Sequence, residues 1–350
     1  MIIDVVKVFA PAAVSFFVGL AITPFLNRFF HKNELWKKKA GKTALGGGET
    51  PIFNQLHANK DSGTPRVGGI VIWFSVIIAT LAFWIFSLTS SSDFAQKINF
   101  LSRNQTWLPL FTLIVAALVG LLDDLLQISG KGKYSAGGLS LAVRVVLVLI
   151  IGLIGGWWFY AKLSSSILTI PALGQIDFGM WIIPLFAIVM LALFSGGVID
   201  GLDGLAGGIM STIFGAYALI AFFQNQIDLA AFCAVIAGGT LAFLWFNIPP
   251  AQFYMGESGI LGLTAVLAVI AFLTDSVPEL LIIALPLFLA SGSDIIQIAS
   301  KKIRGKKVFL VAPIHHHFEA LGWPSYKVTM RFWVIGIICA IIGTVVALIS

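Results

Sequence analysis

Residues 107–126 read WLPLFTLIVAALVGLLDDLL. From Trp107 to Leu122 no charge interrupts the run, and then two aspartates, Asp123 and Asp124, arrive together. A helix needs roughly 20 apolar residues to cross the hydrocarbon core of a bilayer. In lipid the backbone must close its hydrogen bonds within a helix or a closed barrel. The run is long and does not alternate, so it reads as a spanning helix that ends in paired carboxylates.

Similar runs recur along all 350 residues, of which 58% are hydrophobic and 11% charged. Soluble domains carry about 25% charged residues. The chain is therefore read as all-α: one integral membrane domain, 1–350, of about ten transmembrane helices. They are placed near 4–26, 67–89, 107–123, 139–160, 179–198, 204–223, 229–246, 259–274, 278–299 and 329–349. The first run, Val5 to Leu26, is too long for the apolar core of a leader and lacks a clear small-residue cleavage site. It is expected to be the first span. Cys233 and Cys339 both lie inside apolar runs and are read as packing residues.

The basic residues are unevenly shared. Loops after the odd-numbered spans hold sixteen Lys and Arg, and the loops on the opposite side hold Lys97, Arg103 and Lys162. Positive loops stay in the cytoplasm. The basic side is thus expected to be cytoplasmic, with both termini on the outer side.

Acidic and imidazole groups gather on that same predicted side. Asp123 and Asp124 close the third span. Asp200 and Asp203 stand in SGGVIDGLDGLAGG (195–208), Glu257 in NIPPAQFYMGESGILGL (247–263), and His315, His316 and His317 in VAPIHHHFEALGW (311–323). Each cluster alone suits a solvated helix end, a cap or a loop. Together they suggest one site. An acid deep in a spanning helix costs about 2.5–3.5 kcal/mol on insertion scales, and a divalent cation is the simplest offset. Mg²⁺ prefers carboxylate oxygens, water and substrate phosphate; nothing here has the Cys-rich or HExxH spacing of a zinc site. Gly-rich turns beside helix starts favour phosphate groups, and Lys60, Lys131, Lys133 and Lys301 to Lys307 surround them. The residues thus imply a Mg²⁺-assisted phosphoryl-group site at the cytoplasmic membrane surface, with a lipid as one substrate.

The motifs GTPRVGG (63–69), LLDD (121–124), DGLDGLAGG (200–208), Asn247 with Glu257, and APIHHHFE (312–319) come in the order seen in the polyprenyl-phosphate N-acetylhexosamine-1-phosphate transferases. The chain resembles that family over nearly its whole length, and the histidine triplet resembles its MurNAc-pentapeptide branch. The resemblance implies a bacterial cytoplasmic-membrane enzyme of peptidoglycan synthesis. It would move phospho-MurNAc-pentapeptide from UDP-MurNAc-pentapeptide to undecaprenyl phosphate, giving UMP and lipid I, with Mg²⁺ as cofactor. It implies a possible homodimer and no nucleic-acid partner. Carried over by position, Asp123 would take a proton from the lipid phosphate, and Asp124 would help hold substrate or cation. Asp200 and Glu257 would hold the metal. Asp203, Asn247, Tyr254, Lys60 and Lys133 would bind substrate, Tyr254 by stacking on uracil. His315, His316 and His317 would meet the diphosphate, and Asp123, Asp124, Asp200 and His315 are counted as the catalytic groups.

The chain departs from the family pattern at four places. Glu257 stands where aspartate is common, Phe194 and Gly197 where asparagines are common, and Arg66 where a small polar residue is common. Two other readings stay open on the sequence. One is a GlcNAc-1-phosphate transferase that uses UDP-GlcNAc and a polyprenyl phosphate. The other is an ion-coupled transporter, in which carboxylates would tend to lie near the bilayer midplane.

Overall fold

The computed structural model describes residues 1–37, 63–102, 105–130 and 138–350. It is helical almost throughout. The long helices are α1 (Ile2–Lys32), α2 (Gly69–Thr89), α4 (Trp107–Ser129), α5 (Leu141–Lys162), α6 (Ile182–Gly196), α7 (Leu205–Phe223), α8 (Ile227–Asn247), α9 (Gly256–Leu273), α11 (Leu285–Arg304) and α13 (Ser325–Ile349). Short helices α3 (Asp93–Ile98), α10 (Leu280–Ile283) and α12 (Ile314–Ala320) join them. The described sheet is one antiparallel hairpin, β1 (Ile167–Ile170) and β2 (Gly174–Asp177), with Ile167 opposite Asp177.

Among the described residues, nine helices are long and apolar enough to cross a membrane. The expected span at 278–299 differs from the rest: it is broken into α10 and α11 at Ala284. Pro286 follows the break; proline has no N–H to give a preceding turn, so it is favoured at a helix start, where no partner is needed. Beyond it, buried Ser291, Ser293 and Gln297 line one face of α11, and its last turn is basic. The segment is too polar to rank with the other nine.

Three helices form the centre. The apolar stretch of α9 is 89% buried and those of α8 and α7 are 78% and 72% buried, against 22% for α1 and α5 at the rim. Small residues let the backbones approach, as expected where lipid supplies no hydrophobic drive between helices. Gly152 and Gly156 of α5 lie against Ala187 and Ile183 of α6, and Gly120 of α4 lies against the backbone of Glu257 in α9.

The two ends of the bundle differ. Trp84, Trp107, Trp157, Trp158 and Trp181 are exposed at the hairpin end, an arrangement that suits a membrane–water interface. The other end carries Asp123, Asp124, Asp200, Glu257 and the histidines.

Candidate active site

The site is assembled at the start of α9. The first N–H groups of any helix have no partner within it and draw negative charge. Here two distant segments supply that charge. Asp124, from α4, accepts from the N–H of Glu257 at 3.0 Å and of Ser258 at 2.9 Å. Asp200, from the loop before α7, accepts from the N–H of Gly256 at 3.2 Å. Gly256 has φ +68°, and a Cβ there would strike the Arg66 carbonyl and meet the Asp124 carboxylate. Glycine is what lets the three segments close on one another.

Asp123, the neighbour of Asp124, points elsewhere. Its Oδ1 accepts from the N–H of Leu139 at 2.5 Å and its Oδ2 from the Gln127 amide at 3.0 Å. Arg144, one turn into α5, places Nη1 at 2.6 Å from Glu257 Oε1 and 3.6 Å from Asp123 Oδ2. A single guanidinium thus lies between two carboxylates brought from α4 and α9.

The DGLDG loop is braced from three sides. Gly204 donates to Asn247 Oδ1 at 2.9 Å, and the Asn247 amide donates to the Phe253 carbonyl at 2.8 Å. Asp203 Oδ2 accepts from the N–H of Ala251 at 3.3 Å. Thr329 and Trp333 of α13 donate to the carbonyls of Asp203 and Gly204. Against this loop lie His315 and His316, whose Nε2 atoms crowd Gly201 so closely that no side chain would fit there. Their rings are 4.4 Å apart.

A cavity of about 560 Å³ opens over these groups. Its charged floor includes Lys37, Arg66, Arg144, Asp200, Glu257, Asp294 and His316. Its wall is apolar: Leu141 and Val145 of α5, Leu191 and Phe194 of α6, and Ile295 and Ile298 of α11.

The structure therefore brings Asp123, Asp124, Asp200, Glu257, His315 and His316 together. Their placement differs in part from the roles expected of them. Asp123 is buried behind Gln127 and Arg144 and is not on the cavity surface, where a proton acceptor for the lipid phosphate would stand. Both oxygens of Asp124 accept from the backbone at the start of α9. Asn247 and Asp203 brace loops. His317 turns the other way: its Nδ1 accepts from the N–H of Leu310 at 3.2 Å, beside Phe309. Tyr254 is half-buried on the loop that pairs with Pro65 and Gly68, away from the cavity lining. Lys60 and Lys133 lie outside the described residues.

Sequence reasoning passed over Lys37 and Arg144 as site residues. Lys37 is one of three consecutive lysines with nothing to single it out. Arg144 carried a usable signal: an ionisable residue inside an apolar run is a functional candidate by default.

The donor set can be tested against Mg²⁺. Among the described residues, no three acidic, histidine or cysteine groups converge as a metal cage. Asp200 and Glu257 do open onto one cavity with hard oxygen donors. Mg²⁺ is usually held by one or two carboxylates, with water and substrate phosphate completing the shell. Two carboxylates facing a space for phosphates fit that pattern.

A family model described as Glycosyl transferase family 4 matches residues 106–275, from α4 to the end of α9. The phospho-N-acetylmuramoyl-pentapeptide-transferase of Latilactobacillus sakei is 36% identical over 313 residues, covering 87% of this chain and 89% of the relative. Those of Geobacillus thermodenitrificans and Chloroflexus aurantiacus are 34% and 32% identical, covering 95% and 90% of this chain and 95% and 85% of the relatives. With such identity over 87–95% of its length, the chain belongs to the phospho-N-acetylmuramoyl-pentapeptide-transferase family.

Proposed function

We propose that the chain transfers phospho-MurNAc-pentapeptide from UDP-MurNAc-pentapeptide to undecaprenyl phosphate, forming lipid I and UMP for peptidoglycan synthesis. The observation that carries this reading is the two-sided cavity. A charged floor continues into an apolar wall between α5, α6 and α11, which suits an acceptor with a phosphate head and a hydrocarbon tail. A transporter reading has less support, because the acids that converge on the cavity lie at one end of the bundle and not near its middle.

In the reaction, an oxygen of the lipid phosphate attacks the sugar-bearing phosphorus of the donor diphosphate. A new P–O bond forms, the bond to the bridging oxygen breaks, and UMP leaves with the electron pair. A phosphate monoester has a second pKa near 6, so the acceptor is largely a dianion at neutral pH and needs no strong base. This removes the need for Asp123 to touch substrate. Asp123 instead holds Arg144 and Gln127 in place. Lys37, Arg66, Arg144 and His316 would balance the charge gathered by two phosphorylated substrates, the main task in phosphoryl transfer. Mg²⁺ held by Asp200 and Glu257 would supply further charge neutralisation on the diphosphate.

The site end is assigned to the cytoplasm, on the excess of Lys and Arg in the flanking loops; both termini then lie outside. A homodimer belongs to the same reading and rests on the family resemblance alone.

A donor exchange tests the proposal. Purified protein in nanodiscs receives undecaprenyl phosphate, Mg²⁺ and either UDP-MurNAc-pentapeptide or UDP-GlcNAc. Release of UMP with a lipid-linked product from the first donor only is expected. Turnover of UDP-GlcNAc alone would place the chain in the sibling branch.

A further inference from the structure

The histidine segment ends in a glutamate that does not line the cavity, and the proposed reaction gives it no role. Glu319 lies one turn after His316 on α12, on the same face. Its Oε2 is 2.6 Å from His316 Nδ1, and its Oε1 accepts from the Ser325 hydroxyl at 2.6 Å. Both residues are buried, His316 at 1% exposure and Glu319 at 8%. Ser325 is the first residue of α13, the helix that also braces the DGLDG loop through Thr329 and Trp333. At its other end, α12 is pinned to α11 by the N–H of Ile314 donating to Ser293 Oγ at 2.8 Å.

We infer that Glu319, itself fixed by Ser325, is a positioning residue that sets the orientation and tautomer of His316. A carboxylate only accepts hydrogen bonds, so the hydrogen on this side belongs to Nδ1. Nε2 is then the nitrogen that faces Gly201, in a residue that lines the cavity. Paired with a carboxylate, the ring forms a charge-assisted hydrogen bond in its protonated form. Protonated, Nε2 donates to an anionic oxygen; neutral, it can only accept. The Ser325 bond removes the carboxylate's freedom to rotate, so the ring is held by two linked groups rather than one. This is the logic by which a third group orients a catalytic imidazole. The assignment rests on the transferase reading only in making a substrate phosphate the group that His316 meets.

The test is a double-mutant cycle in the full-length protein, with UMP release as readout. Glu319→Ala is expected to lower kcat about 10²-fold, with a smaller change in KM. Glu319→Gln keeps an acceptor and is expected to recover a substantial part of that loss. In a His316→Asn background, Glu319→Ala is expected to cost nothing further, because its effect travels only through the imidazole. A purely structural glutamate would cost the same in both backgrounds, and equal losses would overturn the inference. A second readout does not depend on activity. In protein labelled with ¹⁵N-histidine, the signal lost in His316→Asn identifies that ring, and it is expected to report Nδ1–H in the wild type and to shift in Glu319→Ala. An unchanged ring signal would also overturn the assignment. Wild-type protein that released no UMP would count against the transferase reading, and the ring spectrum would still decide the relay.

Discussion

At the hairpin end of the bundle, several acids are each matched to their own nearby partners. Asp275 accepts from the N–H and hydroxyl of Thr169 at 2.9 and 2.5 Å, and so ties β1 to the end of α9. Lys7 meets Asp228 at 2.5 Å, and Asp177 accepts from Ser166 and from the N–H of Gly179. At the site end the acids are shared. Asp124 and Asp200 serve the same helix start, and Arg144 serves two carboxylates from different helices. The hairpin end spends its charges on holding segments together. The site end holds segments together and still presents carboxylates, cations and an imidazole to one cavity. Charge in an apolar protein is thus a poor marker of function by itself. Convergence from distant segments onto open space is the better one.

Substitutions can sharpen or break this contrast. The largest effect is expected at Glu257, which faces the cavity. Glu257→Gln should lower kcat by about 10²–10³-fold, measured as UMP release, and should cost less stability than loss of Arg144, because the amide oxygen still accepts from the guanidinium. Next comes Arg144→Ala, which leaves two carboxylates near each other without their common cation. It should cost activity and also about 2 kcal/mol of stability, toward the low end for a broken ion pair because this one is partly exposed. Arg144→Lys should recover part of both, and thermal unfolding in detergent reads the stability. At the hairpin end the pattern should reverse. Asp275→Asn should cost about 1 kcal/mol and leave UMP release unchanged. A large loss of activity there would erase the distinction between the ends.

The smallest effect concerns Asp177. The Ser166 hydroxyl, then the Gly179 N–H, hold its carboxyl below the usual carboxylate range. A lowered folded-state pKa adds stability that is present above the unfolded value, near 3.9, and is lost as pH falls through the folded one. Hydrogen exchange in the hairpin should be equally protected from pH 5 to 8 and lose protection only below about pH 4. Asp177→Asn should flatten that dependence.

The sequence was most legible where structure is local. A spanning helix is written into about 20 consecutive residues, and nine of the expected spans are present as helices. The exception at 278–299 turned on Pro286 and the polar face of α11, where an apolar average concealed a break. The site was legible in its acids and histidines, because charge stands out in an apolar chain. Their division of labour was not. That Asp124 caps a helix more than a hundred residues away, that Asn247 clamps a loop, and that His317 turns from the cavity all depend on which segments meet. Lys37 shows the same limit from the other side, since one lysine among three gains its place only when the chain folds it under the cavity.

The central claim is that distant segments form a single transfer site. Its most direct test is UMP release with both substrates and Mg²⁺ present, compared among wild type, Asp200→Asn and His316→Asn. The account predicts release in the wild type that requires undecaprenyl phosphate, and a large loss in each variant although the two residues come from different parts of the chain. Full activity in both variants would contradict it.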